Sequence, residues 1–557
     1  MIRFLCTTLS FLCFAMATNA QTISVELSAE VPQEPSGRLE HILRRGTLIV
    51  GVKADYPPWG RIGSDGQLEG LEIDLAQVFA DRLGVDLELK AVTSSNRIGR
   101  VNDRVVDIII ATAGDTEERR LQADHILPNY YSSGVVVYAR ADREIDSWDH
   151  VRGRDLCLNR GAYYNRTLEH EFGIKGQYFS GIRESRLALL QGRCVGWAFD
   201  DTALTQFIHE GTARTESEGE AATQYAILDD AILVTPWSLI VEKGEGQGDL
   251  GRFASDMIAE WHATGRIIAL QRKWNIPVSN YILEKNAQWS ETDSAGNAIC
   301  ARGPESGAFS EECLGSDPFK LLPSPVLPDW MKSLNDKTGI DLSTFVNEYN
   351  RDSLIKGLLL TLAMGLVAIF GALTVGLSFA MMHAWLSRWG IIGWVFLLPQ
   401  KVLITVARMT PPILQLYIVY FGLGGTLTER FNFTPSNFLI AAVILSLYAG
   451  ATNAVILVNA MSQELRASPK SGPLQLLPRA ITRAFDGLVA SCVNIVKAAG
   501  MASAIAVTEV ISTINLLVAE GANTATFMNG LLVFYFFLVL AIIWIFKLVR
   551  RALVEQT

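Results

Sequence analysis

Three places in this sequence set a charge where the pattern around it gives that charge something to do. Arg119 lies in "ATAGDTEERR", just past the apolar run "VVDIIIATAG". Asp200 and Asp201 close "CVGWAFDD". Arg408 stands in "VARMTPPILQLYIVYFGLG", an otherwise apolar stretch that also carries Pro411 and Pro412. A ligand bearing both a carboxylate and an ammonium needs partners of both signs, because neither group is buried unpaired without cost. Each residue also has a plainer use: Arg119 in the first turn of a helix, Asp200 as a helix N-cap, and Arg408 snorkelling from the end of a span. An acid in a cleft can also take a proton, so Asp200 or Asp201 would equally suit an enzyme.

The surrounding elements decide where these charges sit. "TLIVGVKADYPPWG" reads as a buried strand running into a loop with an aromatic pair, Tyr56 and Trp59. "LEGLEIDLAQVFADRLG" has helical spacing of apolar residues and stops at Gly84. "DLELKAV" and "VVDIIIATAG" are further strands. After residue 150 the pattern repeats: "RDLCLNRGAYYN" is strand and loop, "SRLALLQGR" is helical, and "CVGWAFDDTAL" is strand again. Strands alternating with helices imply a mainly parallel sheet with ligand sites at the strand C-terminal ends. Two such lobes with chain crossings near 135–140 and 232–238 make a hinged clamp.

The chain has 557 residues, 49% of them hydrophobic and 19% charged, with a net charge of −9. No basic stretch points to nucleic acid. Residues 30–350 are normally polar, whereas apolar runs fill 357–385, 391–424, 438–461, 488–518 and 526–547, which reads as five spans. Arginine and lysine cluster after the first, third and fifth runs, so the N-terminal side is expected outside and the C-terminus inside. "MIRFLCTTLSFLCFAMATNA" has a basic start, a short apolar core and a small-residue end, the pattern of a signal peptide cleaved after Ala20. Cys6 and Cys13 leave with it. In the exported half Cys300 and Cys313 bracket "CARGPESGAFSEEC", a loop with little else to hold a shape, and are expected to pair. Cys157 and Cys194 either pair or remain two buried thiols. No Gly-x4-Gly-Lys-Ser/Thr loop occurs in the sequence, so any ATP is expected on another subunit.

Residues 40–276 resemble the periplasmic solute-binding proteins of polar amino acid uptake. The likeness is carried in order by "GVKADYPPW", "LEGLEIDLA", "NRIGRV", "VDIIIATAGDTEERR", "LNRGAYYN" and "GWAFDD". The resemblance implies that Arg119 holds an α-carboxylate bidentately, that Thr112 and Gly114 add donors, and that Asp200 pairs the α-ammonium. It places Tyr56 and Trp59 as aromatic faces around the ligand and Tyr163 where the family carries a small hydroxyl residue. Arg97 sits in a stretch resembling binders of dicarboxylate amino acids. Lys53 stands where binders of cationic amino acids carry an acid, which favours an acidic or neutral polar ligand. Residues 350–550 resemble amino-acid ABC importer permeases. "ARMTPPILQLYIVYFGL" carries that likeness and implies that Arg408, Thr410, Pro411 and Gln415 pack in the permease core. In "MSQELRASPKSGPLQLLPRA", Gln463, Ala467, Gly472 and Pro478 keep rough family order for an ATPase-coupling loop, although the family's Glu-Ala-Ala is missing and the loop is short.

The expected fold is therefore an α/β two-lobe periplasmic-binding-protein clamp followed by an all-α five-span permease domain. The expected boundaries are a signal peptide at 1–20 and a solute-binding domain at 35–280. Within that domain, lobe 1 covers about 35–137 and 236–280, and lobe 2 about 138–235. A tether with the disulfide loop follows at 281–352, and the membrane domain at 353–551. The expected role is amino-acid uptake in a bacterial inner membrane, with an ABC ATPase subunit, a second permease subunit or a homodimer, and lipid as partners. The chain itself is expected to bind no cofactor or metal and to catalyse nothing. An amino-acid-gated receptor channel and a clamp-fold periplasmic dehydratase remain the alternatives.

Overall fold

The β-branched and aliphatic run at 47–53 is buried on both faces, as strands inside an α/β sheet must be. It forms strand β1 (Thr47–Lys53). A small three-stranded sheet, β2 (Asp55–Tyr56), β3 (Gly60–Ile62) and β4 (Leu68–Glu69), carries the aromatic loop that follows. Then come β5 (Asp86–Val92), β6 (Ile108–Ile109), β7 (Asp124–Arg140), β8 (Asp155–Asn159), β9 (Lys175–Phe179), β10 (Gly196–Asp200), β11 (Tyr225–Ile227) and β12 (Ile232–Val241). The computed structural model describes residues 29–554 apart from 206, 208–224, 229, 304–305, 316–318, 320–326, 432 and 521. The signal-peptide reading at 1–20, with Cys6 and Cys13, lies outside the described residues.

Among the described residues, nine strands form one sheet in the order β5-β1-β6-β12-β7-β10-β8-β9, with β11 also on β7. β1 pairs parallel with β5 and β6, and β8 pairs parallel with β9 and β10. The 17-residue β7 and the antiparallel β12 belong to both parts. Near one end Ile240 faces His125, and near the other Ile232 faces Val135, with register shifts between them. These two strands are the crossings between lobe 1, built on β1, β5 and β6, and lobe 2, built on β8, β9 and β10. The helix Leu71–Leu83 packs on lobe 1 through Leu71, Leu75, Phe79 and Leu83, and ends where Gly84 adopts φ 68°.

Two disulfides close the clamp's loose ends. Cys157–Cys194 ties β8 to the residue before the turn into β10, and Cys300–Cys313 closes the glycine-rich loop. The tether expected from 281 is in part a packed insert. Helix Asn280–Ser290 sets Trp289, fully buried, against Phe309, the Cys300–Cys313 pair, Ala259 and Ala263. Burying one indole and one phenyl ring suffices to fasten so short a segment to lobe 1. Further along, Phe319 N donates to Asp115 O at 3.0 Å, and Glu117 N donates to Phe319 O at 3.2 Å.

Among the described residues of the C-terminal part, four helical stretches are long and apolar enough to cross a membrane. They are Glu348–Met409, Asn437–Ala467, Pro473–Ile505 and Thr524–Arg551, and the first holds two helices, Glu348–Leu386 and Gly390–Met409. Small residues let two of the helices approach closely. A Cβ on Gly376 would meet Asn453 Cβ at 2.5 Å, and one on Gly371 would meet Ser446 Oγ at 2.2 Å. The run expected as one span at 488–518 is broken. Helix Pro473–Ala498 gives way to a 3-10 turn, Ala499–Ile505, then Ala506 takes φ 59° and a new helix starts at Val510.

The double proline does break its segment. The helix Gly390–Met409 stops, Pro411 contributes no N–H, and a new helix begins at Pro412. Gln415 Nε2 donates to both Ala407 O and Thr410 O at 2.8 Å, so the carbonyl that Pro411 leaves without its donor, Ala407 O, stays paired. Arg408 is not buried within this chain. It stands exposed, as does Pro411, while Thr410 and Gln415 are half-buried. The reason is geometric: the break turns the chain at Thr410, and Arg408 is left on the outer side of a helix whose large apolar side chains are themselves exposed. The expected coupling loop is also shorter than its sequence window. Gln463 and Ala467 belong to helix Asn437–Ala467 and Pro478 lies inside helix Pro473–Ala498, leaving Ser468–Gly472 as the turn. The ion pair of Arg483 with Glu464, at 2.7 Å, and the bond from Arg483 Nη1 to Gln463 Oε1, at 3.1 Å, lace the two helices just before it.

Candidate functional site

The strand ends meet between the lobes. Tyr56 follows β1, Arg97 opens helix Arg97–Asn102, Thr112 follows β6, Tyr163 follows β8 and Asp200 ends β10. Together they line one cleft cavity, with Ser94, Asn159, Gly161, Tyr164 and Phe199. The cleft is shut down to about 20 Å³, room for a water or two by the ~10–15 Å³ each needs. Tyr56 OH donates to Asp200 Oδ2 at 2.5 Å across the lobes. Asp200 Oδ1 is buried and has no hydrogen-bond partner among the described residues. Burial pushes the Asp200 carboxyl up to about 7; the Tyr56 bond opposes that rise and Asp201 adds to it. Asp201 has the local role instead, accepting from Thr202 N at 2.6 Å and from Ser133 Oγ at 2.5 Å.

Arg119 is buried, with 2% of its surface exposed, and bridges the lobes through backbone carbonyls. Its Nη1 donates to Gly114 O at 2.9 Å and its Nη2 to Gly161 O at 2.8 Å. Thr116 caps the helix Glu117–Gln122 by accepting from Arg119 N, so the first-turn placement is also real. In this closed arrangement Arg119, Gly114 and Trp59 stand beside the cavity rather than in its lining. Trp59 lies in an aromatic box with Tyr131 and Trp237, ring centroids 4.4 and 4.9 Å away, and its Nε1 donates to Thr202 Oγ1 at 3.3 Å. Tyr163 OH donates to Leu233 O at 2.7 Å. Gly161 has to be glycine: its φ is +78°, and a Cβ there would lie 2.8 Å from the Ser94 carbonyl carbon.

Arg97 Nη1 donates to Ala111 O and to Thr112 O, and burial, helped by the nearby Arg119 charge, lowers its guanidinium to about 9. Lys53 stands beside the cavity, next to Ser94, which lines it. It is 4% exposed, with Nζ 3.0 Å from Asp55 Oδ1 and 3.4 Å from Ser94 Oγ, and it does not line the cavity. A neighbouring acid two residues on offers a buried ammonium a better partner than the cleft does.

Sequence reasoning missed Glu72. It sits fully buried under the cleft, accepts from Thr112 N at 2.6 Å and from Tyr130 OH, and is raised to about 7 by burial against the pull of those two bonds. It holds Thr112 at φ 47°, a left-handed conformation that a β-branched residue rarely adopts. Phe319 was missed as well; its ring packs 5.6 Å from that of Tyr163, which lines the cleft. Glu72 falls on the buried face of its helix by period, which was the one signal available. Phe319 had none.

Lobe 2 also touches the helical half directly. Arg193 Nη2 donates to Tyr420 O at 2.8 Å, and its guanidinium lies 4.4 Å from the Tyr420 ring centroid. Gln191 Nε2 donates to Phe421 O, and Arg160 Nη2 to Ser503 O. These carbonyls belong to a π-helical turn, Ile418–Leu423, and to the 3-10 turn Ala499–Ile505. Both are irregular stretches whose carbonyls lack full α-helical pairing.

As a ligand-holding device the cleft presents the Arg97 guanidinium in its lining with Arg119 beside it, a carboxylate oxygen of Asp200 without a partner among the described residues, and tyrosine rings. The sequence model of the bacterial extracellular solute-binding proteins, family 3, matches residues 48–277. The L-cystine-binding protein TcyJ of Escherichia coli (strain K12) is 26% identical over 241 residues, 43% of this chain and 86% of its own length. The glutamine-binding protein of Geobacillus stearothermophilus is 35% identical over 153 residues, 26% of this chain and 58% of its own length. A crystal structure of the solute receptors for L-cysteine of Neisseria gonorrhoeae superposes with a TM-score of 0.39 at 23% identity, covering 44% of this chain and 95% of that one. Over residues 48–277 this chain is thus similar to extracellular solute-binding proteins, in the part that builds the cleft.

Proposed function

We propose that the chain is an amino-acid uptake subunit of an ABC importer, which captures a polar amino acid outside the membrane and passes it through its own helical domain. The observation that carries this reading is the buried, unpartnered Asp200 Oδ1 in a cleft that also holds Arg97 and, beside it, Arg119. That charge pattern suits the ammonium and carboxylate of an α-amino acid. The relatives, by their printed names, bind L-cystine and glutamine. Arg97 adds a cation to the cavity wall, so the preferred ligands are neutral or acidic, and a cationic side chain meets like charge in a low-dielectric site. The binding domain lies outside the inner membrane and the C-terminus inside. ATP is bound by a separate subunit. The five-residue turn Ser468–Gly472 offers that subunit little surface, so a second permease with a fuller coupling loop completes the pair.

The test is calorimetric titration of the full chain in lipid nanodiscs with each of the twenty amino acids and with L-cystine. Glutamate, aspartate, glutamine or cystine should bind more tightly than lysine and arginine. Failure of every amino acid to bind would overturn the reading. A second reading, a periplasmic dehydratase on the same clamp, is favoured by one observation: a cleft carboxyl near 7 is poised to take or give a proton. It requires product to appear when cleft ligands are incubated with the protein, and the importer requires none.

A further inference from the structure

The strip Asn159–Gly161 faces two ways. Asn159 and Gly161 line the cleft, while Arg160 between them lines a second cavity on the other side. This second cavity measures about 300 Å³ and lies between lobe 2 and the helical half. Arg160, Glu169 and Tyr178 form one wall, and Tyr349, Asp352 and Lys356 the other. Tyr349 OH donates to Glu169, and Arg160 reaches Ser503 O, so the two halves are stitched at its edges. Arg160 Nε remains buried without a partner among the described residues. A space of this size falls at the lower end of the ~300–1,000 Å³ of small-ligand pockets. The cleft, at about 20 Å³, holds no amino acid in this docked, closed form.

We propose that this interface cavity is a second amino-acid site, able to hold its ligand while the cleft is also occupied, with the α-carboxylate toward Arg160 and the ammonium toward Glu169 and Asp352. The inference rests on the importer reading given above. Its lining offers the same kinds of group as the cleft's: the Arg160 guanidinium, the Glu169 and Asp352 carboxylates and two phenols, with Lys356 as a further cation. Its position, one residue from the cleft lining and next to the start of helix Glu348–Leu386, puts it between the capture site and the helical domain. A zwitterionic lipid headgroup carries a similar pair of charges, so the test separates the two.

The full chain is placed in nanodiscs of phosphatidylglycerol alone and titrated at equilibrium with radiolabelled L-glutamine and L-glutamate. Two bound molecules per chain are expected. Arg119→Ala should leave one, and so should Ser353→Trp, which fills the cavity from the helical side. Ser353→Ala, which leaves it open, should keep both. Arg160→Gln in the Arg119→Ala background should weaken the remaining site by about tenfold, the scale of one charged hydrogen bond. One molecule per chain in the unaltered protein, lost entirely in Arg119→Ala, would overturn the second site and leave the importer reading intact. No binding of any amino acid would overturn the importer reading itself. Loss of the second molecule when phosphatidylethanolamine is added would make this a headgroup site and overturn the proposal.

Discussion

Lobe 1 and lobe 2 share two crossing strands, yet they hold different neighbours. Lobe 1 carries the disulfide-closed insert at 280–315, seated through Trp289 and Phe309, and accepts Phe319 beside the first turn of the Arg119 helix. Lobe 2 carries the helical half, through Arg160, Gln191 and Arg193. The difference teaches that one lobe is leashed and the other is seated. A hinge motion between them therefore moves lobe 1 against a lobe 2 held in place.

Arg119 spans both lobes, and its loss is expected to have the largest effect. Arg119→Ala removes the proposed partner of a ligand carboxylate and leaves the Gly114 and Gly161 carbonyls without their donor. Breaking such a buried charged contact costs ~3–5 kcal/mol, at least a hundredfold in affinity. Calorimetry showing the affinity of the unaltered protein would break the assignment.

The two disulfides sharpen the contrast between lobes. Closing loops of this length gives ~3–4 kcal/mol of stability in the chain-entropy account. Replacing Cys157 and Cys194 by serine should lower the clamp's melting temperature and also loosen its seat, because Cys194 follows Arg193 directly. Replacing Cys300 and Cys313 by serine should cost comparable stability without disturbing the seat. The seat is read by crosslinking lobe 2 to the helical half, and equal crosslinking losses in both variants would erase the distinction.

A smaller effect comes from the seat alone. Arg193→Ala leaves the Tyr420 carbonyl without its donor. At ~1.5–3 kcal/mol for a hydrogen bond to a charged group, crosslinking of lobe 2 to the helical half should fall tenfold or more, with ligand affinity little changed. Unchanged crosslinking would show that lobe 2 is held elsewhere.

The smallest effect is a pH slope. Asp200 sits near 7 in the folded protein, raised by burial from an ordinary value of 3.8. Between those values the folded state keeps a proton that the unfolded chain has released, so the Asp200 contribution to ligand-free stability falls as pH rises from about 4 to about 7. Binding of an ammonium needs the ionised form, so affinity runs the other way and rises over the upper part of that window. Asp200→Asn should flatten the affinity profile. A melting-temperature difference between Asp200→Asn and the unaltered protein that is the same at about pH 4 and about pH 7 would refute the shift.

Much of this architecture is legible in the residues. The period-3.6 apolar spacing of 71–83 and its glycine stop give the helix and its end. The strand-end motifs bring Tyr56, Arg97, Thr112, Tyr163 and Asp200 to one cavity. Other features leave no local trace. Lys53 turns to Asp55 because a side-chain direction depends on its neighbours in space. The break at 499–509 is hidden by a run of small apolar residues, which hydropathy reads as uninterrupted span. Arg160 and Arg193 look like ordinary surface arginines on turns, and only the helical half opposite gives them partners.

The insert on lobe 1 has one more consequence, for kinetics. A clamp that unseats from the helical half is still joined to it through the chain beyond Cys313. Its return is intramolecular, at an effective concentration of the order of millimolar for a short linker. A separate clamp would have to be abundant and dock tightly to find the helical half; a tethered one is always at hand. Its seat can therefore be weak, a few carbonyl contacts, and release quickly.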